Sequence, residues 1–394
     1  MKKVAIIVDH GPWEGGTFQY NQCVVDAFSE LPEQEFEKHI FYTNSFWKNY
    51  LSNYNFNLTE LKLSPKLKKA LKALTLLQFG TKFRKALLCL LSPKTASVLN
   101  DKTFDLLIFP SQDTVSLFID NNKVSVIHDL MHVYESHFPE VSEGGRTKYR
   151  NILFKGFCDE SKAIIVDSKI GSEQVQECYQ TPATKIFQLP YLPPPHILDN
   201  EPVPADFDQK YDMLPQKFLF FPGQFWPHKN HDNLIDAVKV LANRGIVVNL
   251  AFAGKKDYNY DKIAKKISEY GIGNQITFLN FVPNEYLKGI YLKSRGLIMP
   301  TFFGPTNIPP LEAIFLGRPV AVSGIYGMMD QLKDASLYFD PKNVVDIANK
   351  METLWQDEEQ RAILVKNGEK LVANWNKKAF NDQFVEIVKK IVYS

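Results

Sequence analysis

The sequence predicts two α/β domains, each with a parallel β-sheet covered by helices. The chain has 394 residues, of which 45% are hydrophobic. A chain of this length usually folds into more than one domain, each with its own hydrophobic core. Apolar runs alternate with helical patterns along almost the whole chain, which is typical of parallel sheets with helical connections. A proline-rich stretch in the middle separates these runs into two groups, so we expect two domains.

Ten apolar runs have the length and composition of buried strands. The first half of the chain contains KVAIIVD, DLLIFPS, KVSVIHDL and KAIIVDS. The second half contains KFLFFPG, VVNLAFAG, QITFLNF, GLIMPT, RPVAVS and ASLYFD. Ligands of doubly wound sheets bind beyond the carboxyl ends of the strands, so the functional loops of both domains are expected to face a shared cleft.

The stretch LPYLPPPHILDNEPVPADF marks the domain boundary, because its prolines cannot continue a helix or an inner strand. We expect the boundary between about residues 190 and 214, and assign 1–195 to the first domain and 196–375 to the second. After Asp357 the chain is predicted to be helical to its end. Residues 376–394 carry an apolar stripe and are predicted to return to the first domain. The stripe consists of Phe380, Phe384, Ile387, Val388 and Ile391.

Charge and composition exclude several classes of function. With 46 basic and 44 acidic residues the formal net charge is +2, which argues against general binding of nucleic acid. The opening MKKVAIIVDH has too short an apolar run for an export signal, and no stretch approaches the ~20 apolar residues of a membrane span. The cysteines form no close pair, so neither a zinc site nor a disulfide framework is predicted, and a cytoplasmic location fits best.

The stretch FPGQFWPHKNHDNLIDA, residues 221–237, runs from a strand into a helix through a loop that suits an anion. Gly223 lets the backbone turn sharply, and the helix that begins near Asn230 offers unpaired N–H groups. Lys229 adds a full positive charge beside those groups. Taken alone, this lysine is explained equally well as a solvated side chain next to an ordinary loop.

A second stretch, MPTFFGPTNIPPLEAIFLGRPVAVS, again runs from a strand through a loop into a helix. Pro309 and Pro310 suit the first turn of that helix, whose N–H groups are expected at the same edge as Lys229. Glu312 is a good acceptor for ribose hydroxyl groups. A lysine, two helix N-termini and a carboxylate together predict a site for a nucleoside diphosphate.

These motifs resemble the retaining nucleotide-sugar glycosyltransferases of group 1, or glycosyltransferase family 4. Between residues 217 and 340 the stretches PGQFWPHKNHDNLIDA, FLNFVPNEYLKGIY and PTNIPPLEAIFLGRPVAVS occur in the order and spacing of that family. The first half is similar only through GPWEGGTFQY and VIHDLMHVYESHFPE. The resemblance implies the GT-B fold, in which two Rossmann-like domains face each other across a cleft.

The resemblance also implies roles for individual residues. Lys229 matches the lysine that binds the diphosphate, Glu312 matches the glutamate that binds the donor ribose, and His128 matches a histidine near the reacting sugar. These three are the implied catalytic residues. The implied donor-binding residues are Gly15, Gly16, Gly223, Gln224, Lys229, Phe281, Val282, Thr306, Asn307, Ile308, Pro309 and Glu312.

Two positions depart from the family pattern. Gln224 stands where the family usually has an arginine, and Gly304 stands where it has the glutamate that holds the donor sugar. Thr306 and Asn307 offer replacement hydrogen bonds. Two alternatives to a transferase therefore stay open, namely a nucleotide-sugar epimerase of the same fold and a catalytically silent protein that binds nucleotide sugars.

The function implied by the resemblance is the retaining transfer of a hexosyl group to a lipid-linked or glycan acceptor, in cell-surface polysaccharide or lipopolysaccharide synthesis. The donor is a nucleoside-diphosphate sugar, and neither a metal nor another cofactor is expected. His128 and His132 have a spacing that suits a metal ion on a helix. However, they directly follow a strand and lack the glutamate that accompanies the first histidine of zincins, so we predict no metal site.

Residues 62–94 form a basic and leucine-rich segment, and no acidic residue lies between Glu60 and Asp101. Such a segment either lies on an anionic membrane or packs on its own core with a solvated basic face. The resemblance favours the membrane, because many relatives extend lipid-linked sugars at the cytoplasmic leaflet. We therefore expect a peripheral location on the inner face of the membrane.

Overall fold

The computed structural model describes residues 1–199 and 201–394. By their contacts these residues divide into two units. The first unit comprises Met1–His137, Val141–Leu192 and Lys377–Ser394. The second comprises Phe138–Glu140 and Pro193–Asn376, so the chain passes from the first unit to the second within the proline-rich stretch.

Within the described residues, the first unit has a seven-stranded parallel sheet in the order β3-β2-β1-β4-β5-β6-β7. Its strands are β1 Lys2–Val8, β2 Phe36–Tyr42, β3 Asn57–Glu60, β4 Leu106–Phe109, β5 Lys123–Val126, β6 Ala163–Val166 and β7 Ile186–Gln188. The four predicted strands are confirmed as β1, β4, β5 and β6, and their residues are almost entirely buried. The strands β2, β3 and β7 were missed, because they are mixed in polarity or very short and lie towards the sheet edges.

Helices connect the strands of this sheet along the chain. They are α1 Gly16–Ser29, α2 Ser45–Leu51, α3 Pro65–Thr75, α4 Thr81–Leu91, α5 Pro93–Leu99, α6 Met131–Tyr134, α8 Arg146–Glu160, α9 Lys169–Tyr179 and α19 Lys377–Tyr393. The short helix α7, Pro139–Ser142, spans residues of both units.

The C-terminal helix α19 belongs to the first unit. Its predicted apolar stripe is buried, and the helix packs against α1. Two ion pairs add to this contact, from Lys377 to Asp26 at 2.8 Å and from Lys389 to Glu35 at 2.6 Å. The predicted continuous helix after Asp357 is wrong in one detail, because residues 375–376 separate α19 from the preceding helix.

In the part of the second unit that is described, a six-stranded parallel sheet has the order β10-β9-β8-β11-β12-β13. Its strands are β8 Leu219–Pro222, β9 Leu250–Ala253, β10 Ile276–Asn280, β11 Gly296–Met299, β12 Val320–Ser323 and β13 Ser336–Phe339, and each lies in a predicted run. Its helices are α10 Pro195–Leu198, α11 Phe207–Lys210, α12 His231–Asn243, α13 Tyr260–Tyr270, α14 Asn284–Lys293, α15 Ile308–Phe315, α16 Met328–Leu332, α17 Val344–Gln356 and α18 Glu358–Asn374.

Parallel strands end at the same edge of their sheet, and this places several loops of the second unit side by side. The loops after β8, β9, β10 and β11 begin at Gly223, Gly254, Phe281 and Pro300. Most of the residues predicted to bind the donor follow these strands, so the fold gathers them at one edge.

Candidate functional site

The loop after β8 presents Lys229 at the carboxyl edge of the second sheet. Residues Pro227–Lys229 form a 3-10 turn, and Asn230 then adopts the left-handed conformation, with φ of 59°, before α12 begins. The Asn230 side chain donates hydrogen bonds to the carbonyl oxygens of Pro300 and Pro341, at 2.9 and 2.8 Å. Because Asn230 is buried and doubly bonded, it holds the end of the loop in one position.

Lys229 is half-buried, and within the described parts of the chain its amine has no hydrogen bond or ion pair. Burial lowers the pKa of Lys229 to about 8, although the negative charge of Glu140 opposes this shift. A partly desolvated lysine without a partner gains a charge-assisted hydrogen bond when an anion binds to it. The position is therefore suited to a phosphate group.

Glu140, which belongs to the second unit, binds the residue that precedes this lysine. Its carboxylate accepts a hydrogen bond from the main-chain N–H of His228 at 2.8 Å and makes a second one with the His228 ring. Burial acts to raise the pKa of Glu140, but the hydrogen bonds with His228 hold it below its ordinary value. The His228 ring also stacks on Phe303, with 3.8 Å between the ring centroids. Glu140 thus orients the turn that carries Lys229.

The loops after β8 and β11 are joined through the main chain of His228. The carbonyl oxygen of His228 accepts hydrogen bonds from the N–H of Phe302 at 2.7 Å and from the hydroxyl group of Thr301 at 3.1 Å. The loop after β11 leads into α15. The Lys229 turn and the approach to α15 therefore form one hydrogen-bonded structure.

Two glycines allow the loops after β8 and β9 to come into backbone contact. Gly223 donates its N–H to the carbonyl oxygen of Ala253 at 2.7 Å, and Gly254 donates its own to that of Asn280 at 2.8 Å. A Cβ atom on Gly254 would lie only 2.1 Å from the carbonyl oxygen of Gly223. A Cβ atom on Gly223 would lie 3.7 Å from Cδ of Lys229, so the lysine stem passes over this glycine.

The N-terminus of α15 retains few main-chain donors. Asn307 precedes the helix, and its N–H donates to the side chain of Gln331 at 3.1 Å. Pro309 and Pro310 have no N–H group, which leaves Ile308 as the main-chain donor of the first turn. Helix N-termini attract anions through such donors and through the helix dipole.

Glu312 lies inside the second unit, with only 2% of its surface exposed. Its carboxylate accepts a hydrogen bond from the hydroxyl group of Tyr291, on α14. Burial raises the pKa of Glu312 to about 7, against the opposing effect of this hydrogen bond. The hydroxyl group of Tyr291 also lies 3.5 Å from the carbonyl oxygen of Pro309. The structure therefore links Glu312 to the first turn of α15 through Tyr291.

The remaining predicted residues of the second unit differ in exposure. Phe281 directly follows β10 and is 56% exposed, whereas its neighbour Val282 is buried. Thr306 is buried, and Gln224 is half-buried at the close contact of the two glycines. An exposed aromatic ring beside this strand end is suited to contact a flat ligand.

Three predicted residues lie in the first unit instead. Gly15 has φ of 58° and precedes α1, which begins at Gly16, and a Cβ atom on Gly15 would meet open space. His128 follows β5, and its Nδ1 lies 3.2 Å from the hydroxyl group of Tyr191. Burial lowers the pKa of His128 to about 4, so the ring is neutral near pH 7.

Parts of this chain are similar to known glycosyltransferases. Residues 205–371 match the family described as glycosyl transferases group 1. The O-antigen chain mannosyltransferase B of Escherichia coli is 24% identical over 232 residues, which cover 58% of this chain and 61% of that protein. The O-antigen chain mannosyltransferase RfbU of Salmonella typhimurium is 24% identical over 237 residues, covering 60% of this chain and 61% of that one. Residues 205–371 of the chain are therefore similar to the group 1 glycosyltransferases.

Solved structures show the fold of this chain. Anabaena HepE, in complex with UDP and glucose, matches with a TM-score of 0.74 at 15% identity, over 99% of this chain and 100% of that chain. WaaG, a glycosyltransferase involved in lipopolysaccharide biosynthesis, matches with a TM-score of 0.68 at 14% identity, over 98% and 99% of the two chains. The predicted GT-B fold, with two Rossmann-like parallel sheets, is confirmed.

Gly304 stands in a conformation that other residues rarely adopt. Its φ is 121°, and a Cβ atom there would lie 2.9 Å from the side-chain nitrogen of Asn307. A glutamate at this position would therefore strain the backbone and collide with a neighbour. Replacing Gly304 by glutamate does not simply restore the family motif, because the backbone at this position has a conformation that favours glycine.

His132, one of the two histidines with a metal-like spacing, and the nearby His137 have other contacts. His132 is buried, its Nε2 lies 3.1 Å from the side-chain oxygen of Asn151, and its ring makes a T-shaped contact with that of Phe154. The His137 ring is exposed and lies 3.6 Å from the carboxylate of Glu135. In residues 1–199 and 201–394, no group of three or more histidine, cysteine or acidic side chains is arranged to hold a metal ion.

Two residues of the candidate site were not predicted from the sequence. Glu140 lies far from Lys229 along the chain, and no local pattern connects the two. Gly254 had a detectable signal, because it follows a predicted strand directly, as Gly223 does. Strand-terminal glycines in neighbouring parallel strands are candidates for such a contact.

Proposed function

We propose that this protein transfers a hexosyl group from a nucleoside-diphosphate sugar to a lipid-linked or glycan acceptor, with retention of configuration. The observation that carries the proposal is the half-buried Lys229 amine, which has no partner among the described residues and lies at the carboxyl edge of the second sheet. The match of residues 205–371 to the group 1 glycosyltransferases supports it. The matches span about three-fifths of the length of two curated mannosyltransferases of O-antigen synthesis, which favours a mannosyl donor and a cell-surface polysaccharide product.

In the proposed reaction, the bond between the anomeric carbon and the diphosphate oxygen breaks, and a bond from that carbon to the acceptor oxygen forms on the same face. The departing phosphate oxygen takes the acceptor proton, so neither a protein base nor a metal ion is needed. Lys229 and the N–H group of Ile308 stabilise the negative charge that collects on the diphosphate. Such stabilisation is usually the largest catalytic contribution.

Other residues have supporting parts in this proposal. The Glu312 carboxylate accepts hydrogen bonds from the hydroxyl groups of the donor ribose, while Phe281 and Val282 lie beside the nucleobase. Gly15 and Gly16 allow close approach of the sugar, and His128, which is neutral near pH 7, hydrogen-bonds to it. The residues whose polar groups are proposed to reach the donor phosphates and sugar are Gln224, Thr306, Asn307, Ile308 and Lys229.

The test is a binding and turnover experiment. Nucleoside diphosphates and nucleotide sugars, among them GDP-mannose and UDP-glucose, are screened by thermal shift; a ligand at 100 times its Kd adds about 2.7 kcal/mol of stability. The donor that binds is then incubated with methyl glycosides and lipid-diphosphate-linked sugars, with and without EDTA. Transfer with the donor's anomeric configuration, unaffected by EDTA, is the expected result. The absence of any nucleotide-dependent shift would refute the proposal.

A silent binding protein is the second candidate, and Gly304 favours it because the carboxylate that relatives use for the donor sugar is absent. That reading predicts nucleotide binding without turnover of any donor. A sugar epimerised without an acceptor would instead indicate the epimerase.

We also propose that the segment 62–94 holds the protein at an anionic membrane surface. The nine cations of this segment are divided between two environments. Lys68 pairs with Asp9, Arg84 pairs with Glu160 in a buried position, Lys85 pairs with Asp120, and Lys72 lies over the ring of Tyr149. The cations that remain exposed, without a side-chain partner in the described residues, are Lys62, Lys66, Lys69, Lys82 and Lys94.

Exposed apolar side chains accompany these lysines. They are Leu76, Leu77, Phe83, Leu90 and Leu91, all between the end of α3 and the end of α4. Apolar residues flanked by lysines are the pattern of interfacial membrane binding. Among the described helices, none has the length and apolar character needed to cross a bilayer.

Replacing Leu77 and Phe83 together by aspartate is expected to lower binding to phosphatidylglycerol vesicles at least tenfold. The two side chains are 59% and 52% exposed, so the change removes apolar contact with lipid while leaving the core intact. Co-sedimentation with vesicles measures the effect. The matched control is Val247→Asp with Val345→Asp, two exposed residues of the second unit. An equal loss in this control, or no loss in the first pair, would contradict the proposal.

A further inference from the structure

The second unit has a groove of about 770 Å³ at the amino edge of its sheet, which we call the basic groove. Lys217 lies just before β8, Arg295 directly before β11, and Arg318 just before β12. The amino ends of parallel strands lie at the edge opposite to their carboxyl ends. The basic groove is therefore separate from the candidate donor site, formed by the Lys229 turn and the N-terminus of α15, which lies at the carboxyl edge.

Basic side chains dominate the lining of this groove. They are Lys217, Lys293, Arg295, Arg318, Arg361 and Lys366. The acidic residues of the lining are Glu358 and Glu369. For a chain whose formal net charge is +2, this is a concentrated positive surface.

Few carboxylates compensate these charges. Glu358 is shared, because it pairs with Arg295 at 2.5 Å and also with Arg361. Lys293 pairs with Asp208, which lies outside the lining. The other three cations, at positions 217, 318 and 366, have no carboxylate partner among the described residues.

Two of the guanidinium groups are held in place by main-chain carbonyl groups. Arg295 donates from Nε to the carbonyl oxygen of Trp355 at 2.7 Å, and Arg361 donates from Nη1 to that of Leu354 at 3.0 Å. Arg361 is 7% exposed, so its position is fixed by packing as well. Guanidinium groups with fixed orientation match the geometry of phosphate oxygens and lose little entropy on binding them.

The position of Arg318 can also be explained without a ligand, but this explanation does not apply to the other cations of the groove. It follows the C-terminus of α15 and donates to the carbonyl oxygens of Leu316 and Leu292, at 3.4 and 3.3 Å. A cation at a helix C-terminus is favourable without any ligand. This does not account for Lys217 or Lys366, nor for two arginines that share one exposed glutamate.

We propose that the basic groove binds a phosphate-bearing ligand, at a site separate from the candidate donor site. The volume of the groove lies within the range of small-molecule sites. The fixed guanidinium groups of Arg295 and Arg361 bind the phosphate oxygens, with the oxygens displacing the exposed Glu358 side chain. Lys217 and Lys366 supply the remaining charge. The ligand is either a free phosphate compound or a phospholipid headgroup.

The test uses inorganic pyrophosphate as the probe, measured by calorimetry at low salt on the full-length Lys229→Ala protein. Because the Lys229→Ala substitution weakens the candidate donor site, the pyrophosphate binding that remains measures the basic groove. Combining Lys217→Glu with Lys366→Glu is expected to weaken binding at least tenfold, because both side chains are exposed lining residues. The matched control is Lys162→Glu with Lys169→Glu, two exposed lysines of the first unit, which changes the net charge equally.

A second arm distinguishes the two sources of phosphate. Phosphatidylglycerol vesicles are offered to the Leu77→Asp, Phe83→Asp protein with and without the groove substitutions. Pyrophosphate binding that depends on the groove identifies a free phosphate compound, and vesicle binding that depends on it identifies a lipid headgroup. The proposal is overturned if the groove variant binds pyrophosphate and vesicles as its parent does, or if the parent binds neither.

Discussion

Replacing Lys229 by alanine is expected to reduce sugar transfer by about 10²- to 10³-fold, or about 2.7–4 kcal/mol of transition-state stabilisation. The lysine lies in a fixed turn, bonded on one side through His228 to Glu140 and on the other through Asn230 to two carbonyl groups. Its amine is therefore preorganised for a charge that develops on a departing diphosphate. The measurements are kcat/KM for the donor and the Kd of the nucleoside diphosphate.

The matched control for this variant is Lys255→Ala. Lys255 is an exposed lysine in the loop after β9, in the same unit and close in sequence to Gly254. It should change kcat/KM by less than about twofold, since exposed side chains without partners contribute little. Equal losses in both variants would show that general positive charge, and not the position of Lys229, is what matters.

The pH dependence of nucleotide affinity provides a further check on the same lysine. Burial lowers the pKa of Lys229 to about 8, so the free protein carries this charge below pH 8 and loses it above. Diphosphate affinity should therefore be almost constant up to pH 7 and fall about tenfold for each pH unit well above 8. Lys229→Arg keeps its charge throughout and should flatten this profile. An unchanged decline in the arginine variant would assign the titration to another group.

Replacing Gly254 by alanine is expected to destabilise the second unit by about 1–3 kcal/mol and to abolish tight binding of the nucleotide. The added Cβ atom would lie 2.1 Å from the carbonyl oxygen of Gly223 and 3.1 Å from Cα of Gln224. Both neighbours are backbone atoms, so the loop after β8 must move as a whole. Since that loop carries Lys229, the displacement reaches the candidate phosphate site.

The control for this prediction is Gly273→Ala. Gly273 lies in the same unit, has no strained backbone, and a Cβ atom on it would meet no other atom within 4 Å. Alanine there should leave stability unchanged or raise it slightly, because the unfolded chain loses freedom. Thermal and urea unfolding compare the two variants, and nucleotide titration follows. Wild-type affinity in Gly254→Ala would mean that the contact of the two glycines does not shape the site.

The sequence by itself determined the alternation of strands and helices, the family motifs and the loop that carries Lys229. All ten predicted runs contain a strand, because short apolar runs bounded by turn residues are typical of buried strands. Strand-to-helix loops with glycine, proline and lysine are also local features. Such features depend on residues only a few positions apart, and a sequence displays them directly.

Only the tertiary structure decided which distant residues meet. Glu140 reaches the Lys229 turn through His228, and Gly254 touches Gly223 across neighbouring strands. Within the basic segment 62–94, the fold turns Arg84 inward to Glu160 while neighbouring lysines stay exposed. These outcomes depend on which strands lie side by side and on which charges find partners. A sequence pattern records the composition of each element, whereas the long-range packing of those elements decides which side chains come into contact.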